Sequence, residues 1–190
     1  MPTTLAIRRR RALAKKGIGM PGNNDVILGV ARKLLDTVEA PVLGGVAVYL
    51  HGYGRATDDL DFYTPDRRVT DKQLRAGGAV WDAAHREHVL DHVRIHTVTP
   101  EDAGHVVANT SIIDGVRVVS LKDLIAIKLR TGLNNYGRTK DIADVEALIG
   151  LIPLDKRFAA KLPRDLRADF KRFVDAVRAG ERDRRDKPRF

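Results

Sequence analysis

Residues 44–64 read GGVAVYLHGYGRATDDLDFYT, and the arrangement of this stretch sets how its neighbours are read. After the loop Gly52-Tyr53-Gly54-Arg55-Ala56-Thr57-Asp58, the segment Asp59-Leu60-Asp61-Phe62-Tyr63 alternates with period two. As a strand it puts both carboxylates on one face and Leu60 and Phe62 on the other, so the apolar pair is expected in the core and the acids outside it. Upstream, Pro41-Val42-Leu43-Gly44 is a short apolar strand. Gly45 to His51 suits either a continuation of that strand or the opening of a helix, and periodicity does not decide between them.

Working outward, Ile27, Val30, Ala31, Leu34, Leu35 and Val38 recur at helical spacing over 24–39, with Asn24 as N-cap. A helix is expected around 70–86, carrying Leu74, Val80, Trp81 and Ala84 and weakened by Gly77-Gly78. HVRIHTV, residues 92–98, alternates like a strand, with Val93, Ile95 and Thr97 on one face and His92, Arg94, His96 and Val98 on the other. Asp114-Gly115 between two apolar runs signals a two-residue hairpin. Ser120 and Asp123 form a capping box for a helix 121–131 with a buried stripe of Leu121, Leu124, Ile125 and Leu129. Asn134-Asn135-Tyr136-Gly137 ends it, and a second helix follows over 139–151, with Ile142, Val145, Leu148 and Ile149 inward. Residues 155–179 read as one or two basic helices interrupted by Pro163, and 180–190 as a frayed polar tail.

The chain has 190 residues, 43% of them hydrophobic, enough for one main domain with appendages. The organisation expected is a basic N-terminal arm (1–22), a core (23–150), a basic helical extension (151–179) and the tail (180–190). Without cysteine there are no disulfides or thiolate metal sites, so any metal must sit on oxygen or imidazole ligands. No apolar run approaches the roughly 20 residues of a membrane span, and the basic N-terminal cluster has no apolar stretch behind it, so a cytoplasmic protein with no membrane partner is expected.

The net charge of +9 is unevenly spread. Arg8, Arg9, Arg10, Arg11, Lys15 and Lys16 face no acid within 1–22, and residues 155–190 hold 13 basic against 7 acidic side chains, which leaves the middle acidic. Basic flanks around an acidic centre suit an enzyme acting on a polyanion such as RNA, although charged termini are also ordinary solvated tails.

Two aspartates sharing a strand face can hold one or two Mg2+ ions that bridge a triphosphate, and glycines after a strand let backbone N–H groups approach phosphate. A paired Asp alone is usually a solvated strand edge, and a Gly-Gly alone usually a turn. In this order and spacing, residues 44–64 resemble the nucleotidyltransferase superfamily, whose hallmark is a strand ending in Gly-Gly or Gly-Ser, a short helix, and a strand bearing Asp-x-Asp. The stretch LKDLIAIKLRTGLNNYGRTKDIADVEALI, residues 121–149, looks like the helical pair of the AbiEii and MenT-type nucleotidyltransferase toxins and their bacterial relatives.

The resemblance spans roughly residues 25–150. It implies an α/β (α+β) fold with a small mixed sheet flanked by helices and a C-terminal helical extension, and it tips residues 45–52 toward helix. It also implies that Asp59 and Asp61 bind Mg2+, that an NTP is the substrate with Gly44, Gly45, Arg55, Thr57 and Lys128 on the nucleotide, and that Asp141 completes the site. The acceptor implied is the tRNA 3′ end, with a cognate antitoxin as a possible protein partner; the N-terminal arm has no counterpart in the resemblance, and its arginines and lysines are expected on RNA from their charge alone.

The bland readings stand beside these: Lys128 as a dipole-offsetting or snorkelling side chain, and Asp141 as an acid favoured in a first helical turn. The third carboxylate that superfamily members often carry on a later strand is not found, because residues 92–98 offer Arg94 and His96 on the exposed face. The activating base or extra ligand is then His96 or Asp141, or the site is degraded. A zinc site on His85, His88, His92 and His96 has helix-compatible spacing but conflicts with the strand alternation of 92–98. A small-molecule nucleotidyltransferase of the antibiotic-modifying kind, or a non-catalytic nucleotide- or RNA-binding protein, are the alternatives.

Overall fold

A computed structural model describes residues 22–186, and the aspartate-bearing strand lies inside its sheet. Seven strands run β1 (Val42–Leu43), β2 (Asp59–Tyr63), β3 (Val80–Asp82), β4 (Glu87–Leu90), β5 (Val93–Val98), β6 (Thr110–Ile113) and β7 (Val116–Val119). Their order across the sheet is β3-β4-β5-β2-β1-β7-β6. β2 pairs parallel with β5 and antiparallel with β1, β1 pairs parallel with β7, and the outer pairs β3–β4, β4–β5 and β6–β7 are antiparallel. This is the mixed sheet flanked by helices that the sequence predicts, with a helical segment at the C-terminal side. The described chain falls into two compact units, ending at Leu124 and beginning at Ile125.

In the first unit the alternation of β2 holds: Leu60 and Phe62 are buried and Asp59 and Asp61 half-buried. Val93 and Ile95 of β5 join them inside. The undecided stretch after β1 is helix α2 (Gly44–Leu50), in which every residue from Gly45 on is buried. Gly44, at φ +66, makes the turn from strand to helix in the left-handed region that disfavours a side chain.

Helix α1 runs Gly22–Lys33, shorter than the periodicity suggests, and the chain turns over 34–37, leaving Leu35 exposed. Asn24 is not its N-cap. It lies inside the helix, buried, accepting the Thr57 N–H at 3.1 Å on its Oδ1 and donating to the Arg55 carbonyl at 2.8 Å. A polar side chain in an apolar helix face is tolerated because the loop before β2 satisfies both ends of its amide.

The helix expected around 70–86 is corrected. Helix α3 spans Arg67–Ala76, capped by the Asp66 carboxylate on the N–H groups of Arg68 and Val69, and stops at Gly77-Gly78, where Gly78 has φ +91. Trp81 falls on β3 and is 42% exposed rather than in the core. Asp82 then orders the turn into β4 by accepting the N–H groups of Ala84 and His85. The Asp114-Gly115 hairpin is present, both residues with positive φ as the tight turn demands, and Asp91-His92 makes a second such turn between β4 and β5. The four histidines once spaced for zinc lie on a turn, β4, a turn and β5.

The capping box at the start of helix α5 is half made, once helix α4 (Pro100–Ala103) is passed. Ser120 Oγ accepts the Asp123 N–H at 3.4 Å, but the Asp123 carboxylate takes the Ser120 hydroxyl, the Asn109 N–H and His105 instead of the Ser120 N–H. The Ser120 N–H goes to the Asn109 carbonyl. Burial alone would raise Asp123, yet His105, Ser120 and the Asn109 N–H hold it below the ordinary carboxylate value.

Helix α5 spans Leu121–Asn134 and carries into the second unit, where helix α6 (Thr139–Leu151) follows a single 3-10 turn over Tyr136–Arg138. Val145, Leu148 and Ile149 are buried and Ile142 half-buried, its side chain against Gly132, where a Cβ would come within 2.7 Å of it. The expected basic helices become two 3-10 turns, Lys156–Lys161 and Arg164–Leu166, on either side of Pro163. Helix α7 then runs Arg167–Asp186, well into the residues expected to fray. Its Phe170 is fully buried against Phe158, ring centroids 5.4 Å apart. Among the described residues no helix is long and apolar enough to cross a membrane.

Asn24→Ala is expected to cost about 1–3 kcal/mol, the penalty of leaving buried backbone groups unpaired, read as a lower urea midpoint at unchanged m-value.

Candidate active site

Three side chains of the first unit converge on one face of the sheet. The β2–β5 register sets Asp61 beside His96, and the period of two carries Asp59 to the same side. His96 Nδ1 lies 3.6 Å from Asp61 Oδ1 and 4.0 Å from Asp59 Oδ2, and the donor atoms of the three residues all fall within 4.8 Å of one another. Two carboxylate oxygens and one imidazole nitrogen at that spacing fit a divalent cation.

The Gly-Gly turn is what lets Asp61 sit where it does. A Cβ on Gly44 would fall 1.8 Å from Asp61 Oδ2, and one on Gly45 would fall 2.3 Å from Thr57 Oγ1 and 3.1 Å from the Arg55 guanidinium. Both glycines are therefore required by the close passage of site side chains over their backbone. Thr57 Oγ1 donates to Asp59 Oδ1 at 3.1 Å, Arg55 donates to the Ala56 carbonyl at 2.9 Å, and Asn24 holds the backbone of this loop from beneath. Asn24 gave no functional signal in the sequence, since an amide ahead of an apolar run reads as a cap.

Glu87 is the other residue that sequence reasoning missed. It is the first residue of β4, one step along the antiparallel register from the His88–Ile95 pair, and its side chain is 7% exposed. Its Oε2 lies 2.8 Å from His96 Nε2. Only the strand pairing could have revealed it, because residues 85–88 were read as the end of a helix or as histidine spacing. Asp61 first, then Glu87 and Asp59, outweigh the effect of burial and lift His96 from its ordinary 6.5 to about 9. At neutral pH the ring is thus an imidazolium lying among three carboxylates.

In the second unit Lys128 and Asp141 are brought together. Lys128 Nζ donates to Asp141 Oδ1 at 2.7 Å and lies 2.8 Å from Asp144 Oδ2, with the lysine side chain 6% exposed. Thr131 Oγ1 and Arg138 Nε both donate to Asp141 Oδ2, at 2.8 and 2.7 Å. Burial would raise Asp141, but Lys128, Arg138 and Thr131 together lower it. Asp144 is a full member of this network. The arm residues Arg8, Arg9, Arg10, Arg11, Lys15 and Lys16 lie outside the described residues.

No family model and no curated protein matches the chain. Among solved structures it is similar to an antigenic nucleotidyltransferase-like protein from Paracoccidioides brasiliensis. The identity is 21%, over 70% of this chain and 76% of that one, with a TM-score of 0.48. A likeness of that degree carries no argument about chemistry, which rests on the residues themselves.

Two outcomes follow. Because the folded-state value of His96 is raised, its ion pairing stabilises the metal-free protein fully below pH 6.5 and is lost as pH rises through about 9. Thermal melts in chelator should fall across that window, and His96→Gln should flatten the fall. Lys128→Met removes the buried cation that lies between Asp141 and Asp144 and is expected to cost about 3–5 kcal/mol in denaturant unfolding.

Proposed function

We propose that the chain is a metal-dependent nucleotidyltransferase that moves a nucleoside monophosphate from an NTP to an RNA acceptor. The observation that carries this reading is the convergence of Asp59, Asp61 and His96 beside a glycine turn that admits Asp61 against its backbone. A divalent ion held by these side chains would supply positive charge to the triphosphate and to the oxygens that gain charge during transfer.

In the reaction proposed, an acceptor hydroxyl gives up its proton to solvent and forms a bond to the α-phosphorus, the bond from that phosphorus to the oxygen bridging to the β-phosphorus breaks, and pyrophosphate leaves. Asp59 is steadied by the Thr57 hydroxyl, and Arg55, in the loop beside it, would orient phosphate. Glu87 fixes the ring of His96 through Nε2. The roles of Gly44 and Gly45 toward the nucleotide, of Lys128 toward its phosphates and of Asp141 in completing the site are assigned from the superfamily resemblance.

The RNA acceptor is supported by charge. Lys161, Arg164, Lys171 and Arg172 are exposed in the second unit, and the N-terminal arm adds four arginines and two lysines with no acid. Such contacts are mostly to phosphate, so binding should weaken steeply with salt. The tRNA 3′ end as acceptor, and a role as the toxin of a toxin–antitoxin pair with a cognate antitoxin, rest on the resemblance of residues 121–149. A small-molecule acceptor would use the same aspartates but has no need of the basic flanks.

The test is incubation with total tRNA, divalent metal and each α-phosphate-labelled NTP in turn, beside Asp59→Ala/Asp61→Ala. Label on RNA that disappears in the double variant is the expected result. No label on RNA with any NTP overturns the RNA acceptor.

A further inference from the structure

We infer that His96, oriented by Glu87, is a nitrogen ligand of the metal site, so that the site takes a first-row transition ion such as Mn2+ in preference to Mg2+. This rests on the metal site proposed above and concerns which ion it is built for. Mg2+ is a small, hard cation that favours oxygen ligands in near-ideal octahedral geometry and keeps several of its waters. Imidazole suits transition ions, and a mixed set of two carboxylates and one imidazole suits Mn2+ and its neighbours in the series better than it suits Mg2+.

The two ring nitrogens of His96 are differently placed. Nε2 is 2.8 Å from a carboxylate oxygen of Glu87, whose side chain is buried, while Nδ1 is turned to Asp59 and Asp61. With Nε2–H donated to Glu87, the ring turns Nδ1 to the point where the two aspartates converge, and a metal bound there would take the place of the Nδ1 proton. A carboxylate behind a histidine in this way fixes the tautomer and ring orientation and strengthens the nitrogen as a ligand. The partners come from three strands in strict register: Asp61 opposite His96, and Glu87 continuing the β4–β5 ladder. The ring is therefore held between the two strand neighbours and has little freedom to turn away.

The metal-depleted 190-residue chain would be titrated with Mn2+ and with Mg2+ by calorimetry, alongside Glu87→Gln, His96→Asp and Asp59→Asn. The Mn2+-loaded wild type would also be examined by pulsed electron paramagnetic resonance. Imidazole-nitrogen modulation of the Mn2+ signal is expected in the wild type, and Glu87→Gln should weaken Mn2+ binding about 10–100-fold. His96→Asp, an all-oxygen set, should lower the Mn2+-to-Mg2+ affinity ratio about tenfold and lose the modulation. Absence of nitrogen modulation in the wild type overturns the inference without recourse to any variant, and so does an unchanged ratio in a folded His96→Asp. If both ions bind the wild type and Asp59→Asn loses both, the metal site stands and the modulation decides the ligand. If neither ion binds, the proposed metal site falls and the inference with it.

Discussion

Asp61 passes over the backbone of Gly44 at a distance where even a methyl group would collide, and the rest of the site is arranged around that passage. Leu43 is the register partner of Asp61 on one side, and His96 is its partner on the other. A single cross-strand row thus links the strand–helix turn, the aspartate and the imidazole. A one-residue slip of β2 would send both carboxylates into the core and bring Leu60 and Phe62 out, so the hydrophobic pattern that drives folding also enforces the position of the charges.

The electrostatics of the two units follow different rules. In the first, Asp59, Asp61 and Glu87 surround a half-exposed ring that carries a proton at neutral pH, so a cation already occupies the middle of the cluster in the form of His96 itself. A divalent metal at Nδ1, as proposed, would displace that proton and leave the cluster one positive charge richer. In the second unit Lys128 is locked between Asp141 and Asp144 with Arg138 and Thr131 completing the ring of donors. That assembly is buried and mutually compensated, and it holds the start of α6 to α5.

Strands whose alternation is strict were legible in the sequence: Asp59–Tyr63 buries Leu60 and Phe62, and the strand within 92–98 buries Val93 and Ile95, with Thr97 half-buried. The Asp114-Gly115 turn was equally plain, because its residues tolerate positive φ. What could not be read was anything set by pairing between distant segments. Glu87 joins His96 only through the ladder of β4 on β5, and Asn24 meets Arg55 and Thr57 across 31 and 33 positions of chain. Trp81 misled because an aromatic at helical spacing from Leu74 suggests a core helix, whereas Gly77-Gly78 ends α3 and puts it on an edge strand. The aspartate pair announced itself locally, while the residues that aim it did not.

The parallel pairing of Val42 with Val118 has a consequence for how the protein comes into being. During synthesis β1 and β2 emerge early, yet β1 has its second neighbour only after some seventy further residues, including β3 to β6, have been made. Contacts so distant in sequence close slowly, because the loop entropy is lost before the pairing rewards it. The half-made sheet exposes one edge of β1 until β7 arrives. The proposed cation site would therefore mature late, as a property of the finished first unit and not of the nascent segment that contains its two aspartates.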